Sequence, residues 1–185
     1  MVFRNTKDRY SVLMICLHWL MLVLLVAVYA SMELRGLTPK GSELRANLKT
    51  IHFLLGLSVL TLVVIRLGVR WSAGDAPLIQ PPIPSWQDKF ARLVHYGLYV
   101  FMIATPFLGW LTMSAAGKPI VLFGVAVPAL IGMNESLSHQ LKDLHEALAT
   151  TGYFLIGIHA IAALFHHYVT GDNTLPRMLP RGRSQ

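Results

Sequence analysis

Cysteine, acidic residues and charge in general are what this chain of 185 residues has least of. The single cysteine, Cys16, lies inside an apolar run, so there is no disulfide framework, thiolate metal site or iron-sulfur cluster to argue for. Charged residues make up 14% of the chain and hydrophobic residues 54%, with a mean hydropathy of +0.53. A soluble domain carries about 25% charge, so an ordinary soluble fold is excluded and a bilayer is the expected solvent. Basic residues outnumber acidic ones by 16 to 9 and the pI is near 9.9. They are scattered between the apolar runs rather than gathered into a patch, which argues against a nucleic-acid partner. Acids are missing from the interior of those runs. Glu33, Asp143 and Glu146 stand only at their ends, which argues against a proton-coupled carrier.

What is present is a set of apolar stretches, each near the length of about 20 residues that crosses a bilayer. Four spans are expected, at about residues 11–32, 50–71, 93–114 and 144–169, forming a single membrane domain over residues 1–185. The first is too long for a signal peptide and lacks a clean cleavage pattern. Pro106 falls inside the third, where neighbouring helices accommodate a kink. Residues 119–133 are apolar too, but Pro119, Gly124, Pro128 and Gly132 interrupt them, so a re-entrant or interfacial loop is expected. The proline-rich residues 75–85 read as an extended linker.

The basic residues then set topology. Arg4, Lys7 and Arg9, with Arg66, Arg70, Lys89 and Arg92 and with Arg177, Arg181 and Arg183, share one side, ten against the six of Arg35, Lys40, Arg45, Lys49, Lys118 and Lys142. Both termini are expected in the cytoplasm by the positive-inside bias.

Histidine carries the chemistry. Seven of the eight, His18, His52, His95, His145, His159, His166 and His167, lie in or at the edge of a span, where a polar side chain is expensive and usually functional. His145 and His159 are 14 residues apart, so they share one helical face and stand ~21 Å apart along it. One helix thus offers a ligand near each membrane surface. At matching depths His18 pairs with His159 on the inner side and His52 with His145 on the outer side. Bis-histidine ligation of two haems follows, and filled axial positions favour electron transfer over oxygen binding. No CxxCH motif occurs, so the usual c-type attachment is excluded and the haems are expected to be non-covalent, with haem b and another non-covalent haem both open at this point. The fold class expected is an all-α, integral membrane four-helix bundle with two haems in its core.

Supporting residues share those faces. Gly152 is midway between His145 and His159, and Gly56 is four residues after His52, so flat macrocycles can lie on bare backbone there. Arg45 and Arg66, seven before and fourteen after His52, are candidates to pair with haem propionates. Glycines that merely pack and arginines that merely snorkel are the plain alternatives. His166, seven after His159, reaches toward a propionate or a quinone head group. His95, at the inner end of span three, and His167, turned about 100° from His166, are weaker candidates, and His139 reads as a solvated loop residue.

The motifs LHWL at His18, the start of span two at His52, and DLHEALATTGYFLIGIHA at His145 and His159 resemble the bacterial di-haem cytochrome b(561) family along nearly the whole chain. The same four positions match that family's axial ligands. MELRGLTPKG at residues 32–41, GIHAIAALFHHY at 157–168 and DNTLPRMLPR at 172–181 resemble its superoxide oxidase branch. The resemblance implies an inner-membrane enzyme that oxidises superoxide at the outer face and delivers electrons through two haems to ubiquinone. It also gives the basic outer loop of Arg35, Lys40, Arg45 and Lys49 a use, since a positive field steers an anion toward the outer haem. Propionate pairing and contact with lipid phosphate are the competing uses. Protons for the quinone would come from the cytoplasmic side, through His166 or His95.

Three rival readings remain at this level. One is a cytochrome b subunit serving a dehydrogenase or hydrogenase-like protein partner. The others are a haem-free histidine-lined carrier and a membrane protein without a cofactor.

Overall fold

A computed structural model describes residues 3–122 and 124–180. Arg181 and Arg183, counted above toward topology, lie outside the described residues. Four long helices run in chain order: α1 (Val12–Leu37), α2 (Glu43–Ser72), α3 (Ser85–Ala115) and α4 (Glu135–Phe165). All are long and apolar enough to cross a membrane. The all-α, multi-pass class read from the sequence stands.

The helices are longer than the apolar windows because polar turns extend them. α2 begins seven residues before Thr50 and α4 nine before Leu144. Side-chain caps hold these ends: the Ser42 hydroxyl accepts from the Arg45 amide at 3.2 Å, and the Asn134 side chain from the Leu137 amide at 3.0 Å. The pairs Asp88–Arg92 and Lys142–Glu146, each one helical turn apart, support the polar N-terminal stretches of α3 and α4. Pro106 sits inside α3 as expected. Residues 119–133 hold a short antiparallel hairpin, β1 (Ile120–Leu122) against β2 (Val125–Val127), with Ile120 opposite Val127. The hairpin satisfies backbone groups that the interrupting prolines and glycines deny to a helix.

Large apolar side chains are exposed on all four helices, Val23 and Val26, Val64 and Ile65, Val100 and Phe107, Phe154 and Ile161 among them. That pattern suits hydrocarbon as the surrounding medium.

Two compact units are distinguished. The first comprises residues 1–20, 64–100 and 152–185, and the second residues 21–63 and 101–151, so each long helix gives a stretch to each unit. In the first, α4 runs into a π-turn (His166–Thr170), and a following 3-10 turn (Pro176–Met178) is stitched to other segments. Trp19 Nε1 donates to the Met178 carbonyl at 2.7 Å, the Leu78 amide to Lys7 at 3.0 Å, and the Asn173 amide to Gln80 at 3.1 Å. In the second unit, Leu57, Met113 and Ile120 form a core covered by Phe53, Trp110 and Val127. Trp110 Nε1 donates to the Pro128 carbonyl at 3.0 Å, fixing the hairpin segment to α3.

Candidate functional site

In the second unit, α2 and α4 present His52 and His145 with ring centres 6.1 Å apart and planes at 85°. The Nδ1 of His145 donates to the Thr105 carbonyl at 2.8 Å, and that of His52 to the Val28 carbonyl at 3.3 Å, with the Ser31 hydroxyl 3.4 Å away. With Nδ1–H committed to a carbonyl, each Nε2 keeps its lone pair for a metal. Gly109, one turn beyond Thr105 on α3, makes room for the ring: a Cβ there would stand 3.3 Å from Cε1 of His145.

In the first unit, α1 and α4 present His18 and His159, again with ring centres 6.1 Å apart, at 66°. Arg66 of α2 places Nη2 3.0 Å from Nδ1 of His18. His95 of α3 lies closer still to His159, at 5.2 Å.

These separations test the donor set. Two imidazoles on opposite sides of one metal, each through a bond of about 2.0 Å to a nitrogen about 1.1 Å from its ring centre, hold the centres about 6.2 Å apart. Both cross-helix pairs meet that value, whereas His95 stands too near His159 to be its opposite ligand. Among the described residues no three metal-ligating side chains converge. Two imidazoles alone suit a metal that brings its own planar chelator, and haem iron is the fitting case.

A family model for prokaryotic cytochrome b561 matches residues 9–181. This chain belongs to that family. Its members carry haem b and transfer electrons within membranes, so the chain is a haem b electron-transfer protein of the prokaryotic inner membrane. It is 42% identical over 174 residues to cytochrome b561 homolog 1 of Escherichia coli K12, covering 94% of this chain and 98% of that one. It is 37% identical over 175 residues to the probable superoxide oxidase CybB of Yersinia pestis, covering 95% and 98%. Cytochrome b561 homolog 2 of Escherichia coli K12 is 31% identical over 195 residues, covering 100% and 98%.

Gly152 is buried, and a Cβ at Gly56 would meet nothing within 4 Å. Arg45 commits Nη1 to the carbonyls of Arg35 and Thr38, at 2.6 and 2.8 Å, and so ties α2 to the C-terminal turn of α1. Lys40 is exposed in the connection between these helices. Lys49 places Nζ 5.6 Å from the Phe53 ring centre and lies within electrostatic reach of Lys118 and Arg35. Arg35 is in turn within reach of His52.

His166 is mostly buried and its Nδ1 is 2.5 Å from Oδ2 of Asp172, whose side chain is fully buried. Oδ1 of Asp172 accepts from the Thr174 amide at 2.8 Å. Burial alone would raise the Asp172 carboxyl, but the contacts with Thr174 and His166 outweigh it and hold the group below its ordinary range.

Sequence reasoning missed Gly109, Lys118 as part of the outer cation group, Asp172 and the burial of Arg177. Lys118 is 69 residues from Lys49 and Gly109 is 36 from His145, so no local spacing signals either. Asp172 offered one clue, as the only acid in the last turns of the chain after His166.

Proposed function

We propose that this cytochrome is a superoxide:quinone oxidoreductase with two haem b groups, one between His52 and His145 and one between His18 and His159. The imidazoles of each pair would hold the haem, which would supply one-electron chemistry when bound. Two superoxide anions each give up one electron and become dioxygen. The two electrons, with two protons, convert a ubiquinone to its quinol.

The observation that carries this reading is the cation group of Arg35, Lys49 and Lys118 in the same unit as His52 and His145. Like charges held together disfavour one another, so their grouping is a use of charge rather than a means of stability. A small anion is drawn by such a field and large neutral donors are not. The name carried by the relative from Yersinia pestis agrees. Lys40 and Arg45 add to the field, Lys40 from an exposed turn and Arg45 while bracing α1.

At the other pair the quinone needs protons. His166 is suited to give one, since Asp172 holds its Nδ1 and leaves Nε2 as the exchanging nitrogen. His95, beside His159, is the second candidate. The superoxide side faces outward, both termini lie in the cytoplasm, and the surrounding lipid delivers and removes the quinone.

Anaerobic addition of superoxide to the detergent-purified protein, with haem content quantified, tests this. Rapid reduction of two b haems, reversed by ubiquinone, is expected. Two haems reduced no faster than in an unrelated b cytochrome would make the chain an electron-transfer subunit of a dehydrogenase or hydrogenase-like complex.

A further inference from the structure

Two arginines in the first unit, Arg177 buried and Arg66 half-buried, keep a buried donor unused. Arg177, in the 3-10 turn after α4, is 8% exposed. It donates Nη1 to the Pro77 carbonyl and lies 5.8 Å from the Tyr10 ring centre, yet its Nε is buried without a partner. Arg66, from α2, reaches His18 through Nη2, and its Nε is likewise buried without a partner. Tyr10 and His95 are each within electrostatic reach of both guanidiniums, which locates the pair about one spot.

A buried cation with open donors is expensive until an anion meets it. Asp172 is the acid within reach of Arg177, but its oxygens already serve His166 and the Thr174 amide. The His18 contact points the same way. A guanidinium donates only, so in this arrangement Nδ1 of His18 accepts and the ring proton sits on Nε2. Ligation through Nε2 needs the opposite tautomer, with a proton on Nδ1, and that proton would oppose the Arg66 donor. Metal binding at His18 therefore turns Arg66 toward another acceptor, which must be an anion if the buried charge is to be met.

We propose that Arg66 and Arg177 clamp the two propionate carboxylates of the haem held by His18 and His159. Arg177 thereby makes the C-terminal segment part of the cofactor site. This rests on the reading that His18 and His159 hold a haem. A planar guanidinium matches a carboxylate with paired donors, a fit that lysine lacks. The same chemistry would accept a lipid phosphate, and the test separates the two.

The full-length chain is taken on a His52→Ala background, which leaves only this haem. It is loaded with haem or with haem dimethyl ester, and release to apomyoglobin is timed in neutral detergent and in phosphatidylglycerol vesicles. Arg177→Gln is expected to release haem about tenfold faster than its parent in both media, as loss of a charge-assisted hydrogen bond implies. The ester should leave parent and variant at equal rates. Arg66→Gln, which does not touch the C-terminal segment, should behave alike and guards against a folding defect in Arg177→Gln. Equal acceleration with haem and ester would overturn the proposal in favour of a purely structural arginine. A difference seen only in phosphatidylglycerol would overturn it in favour of lipid phosphate. If the parent binds no haem at all, the underlying reading falls too, an outcome distinct from both.

Discussion

Gly109 of α3 lies against the imidazole of His145, so that a Cβ would come within 3.3 Å of Cε1 and 3.4 Å of Nδ1. One turn earlier on the same face, the Thr105 carbonyl receives the Nδ1 proton. A flat patch of helix thus sets both position and tautomer of the ring. Gly109→Ala should force the ring to shift by a few tenths of an ångström, destabilising the loaded protein by about 1–2 kcal/mol. Thermal unfolding followed at the haem absorbance reads this, and Gly109→Leu should strip the haem of His52 and His145 alone.

The cross-helix pairing makes a prediction by halves. His52→Ala and His145→Ala should each lose one haem and the same α-band component, and His18→Ala and His159→Ala the other. His95→Ala should retain both, because its ring stands too near His159 to share an iron with it. A pyridine haemochromogen count below two for that variant would contradict the assignment.

Charge steering has its own signature. Lys49→Gln and Lys118→Gln should each slow reduction by superoxide by about two- to fivefold at low salt and flatten its decline with ionic strength. Reduction by dithionite, measured in parallel, reports whether the haems themselves were disturbed and should match the parent in rate and extent.

Asp172 gives a pH dependence whose sign is fixed. Its carboxyl is held below the ordinary range, so the native contacts favour the ionised form. Their stabilisation is full above the ordinary carboxylate value of about 3.9 and fades as pH falls through the lower folded value. Hydrogen exchange at residues 172–179 should therefore quicken at the acid end of the range. Asp172→Asn should abolish that acid dependence and slow quinone reduction, since the His166 ring loses its anionic partner.

Much of this was legible in sequence because hydropathy and helical period are local. The four spans, the shared face of His145 and His159 and the pairing of His18 with His159 and of His52 with His145 follow from spacing alone. The helix ends were not, since polar turns capped by Ser42 and Asn134 look like loop to a hydropathy window. Nor was the hairpin at Ile120–Val127, whose interrupting prolines and glycines read only as a re-entrant or interfacial loop. Arg45 and Arg66 had equal standing on the face of His52. Three dimensions separate them, since Arg45 closes the end of α1 while Arg66 enters the histidine site. Lys118, Gly109 and Arg177 reach their partners through tertiary contact, for which a single sequence holds no period.

The stitching of residues 172–179 bears on the order of biosynthesis. Every residue of the second unit has been translated by Thr151, including both of its histidines and the carbonyls that fix them. The first unit waits for Met178, which meets Trp19, and for Leu179, which meets Arg9. On the proposed two-haem reading, a cofactor there would be sealed in only after the ribosome has passed these codons. A premature stop before Asp172 would then yield a chain whose His52 and His145 unit was complete while the unit of His18 and His159 lay unclosed, and on the two-haem reading that chain would be a half-loaded product for quality control to find.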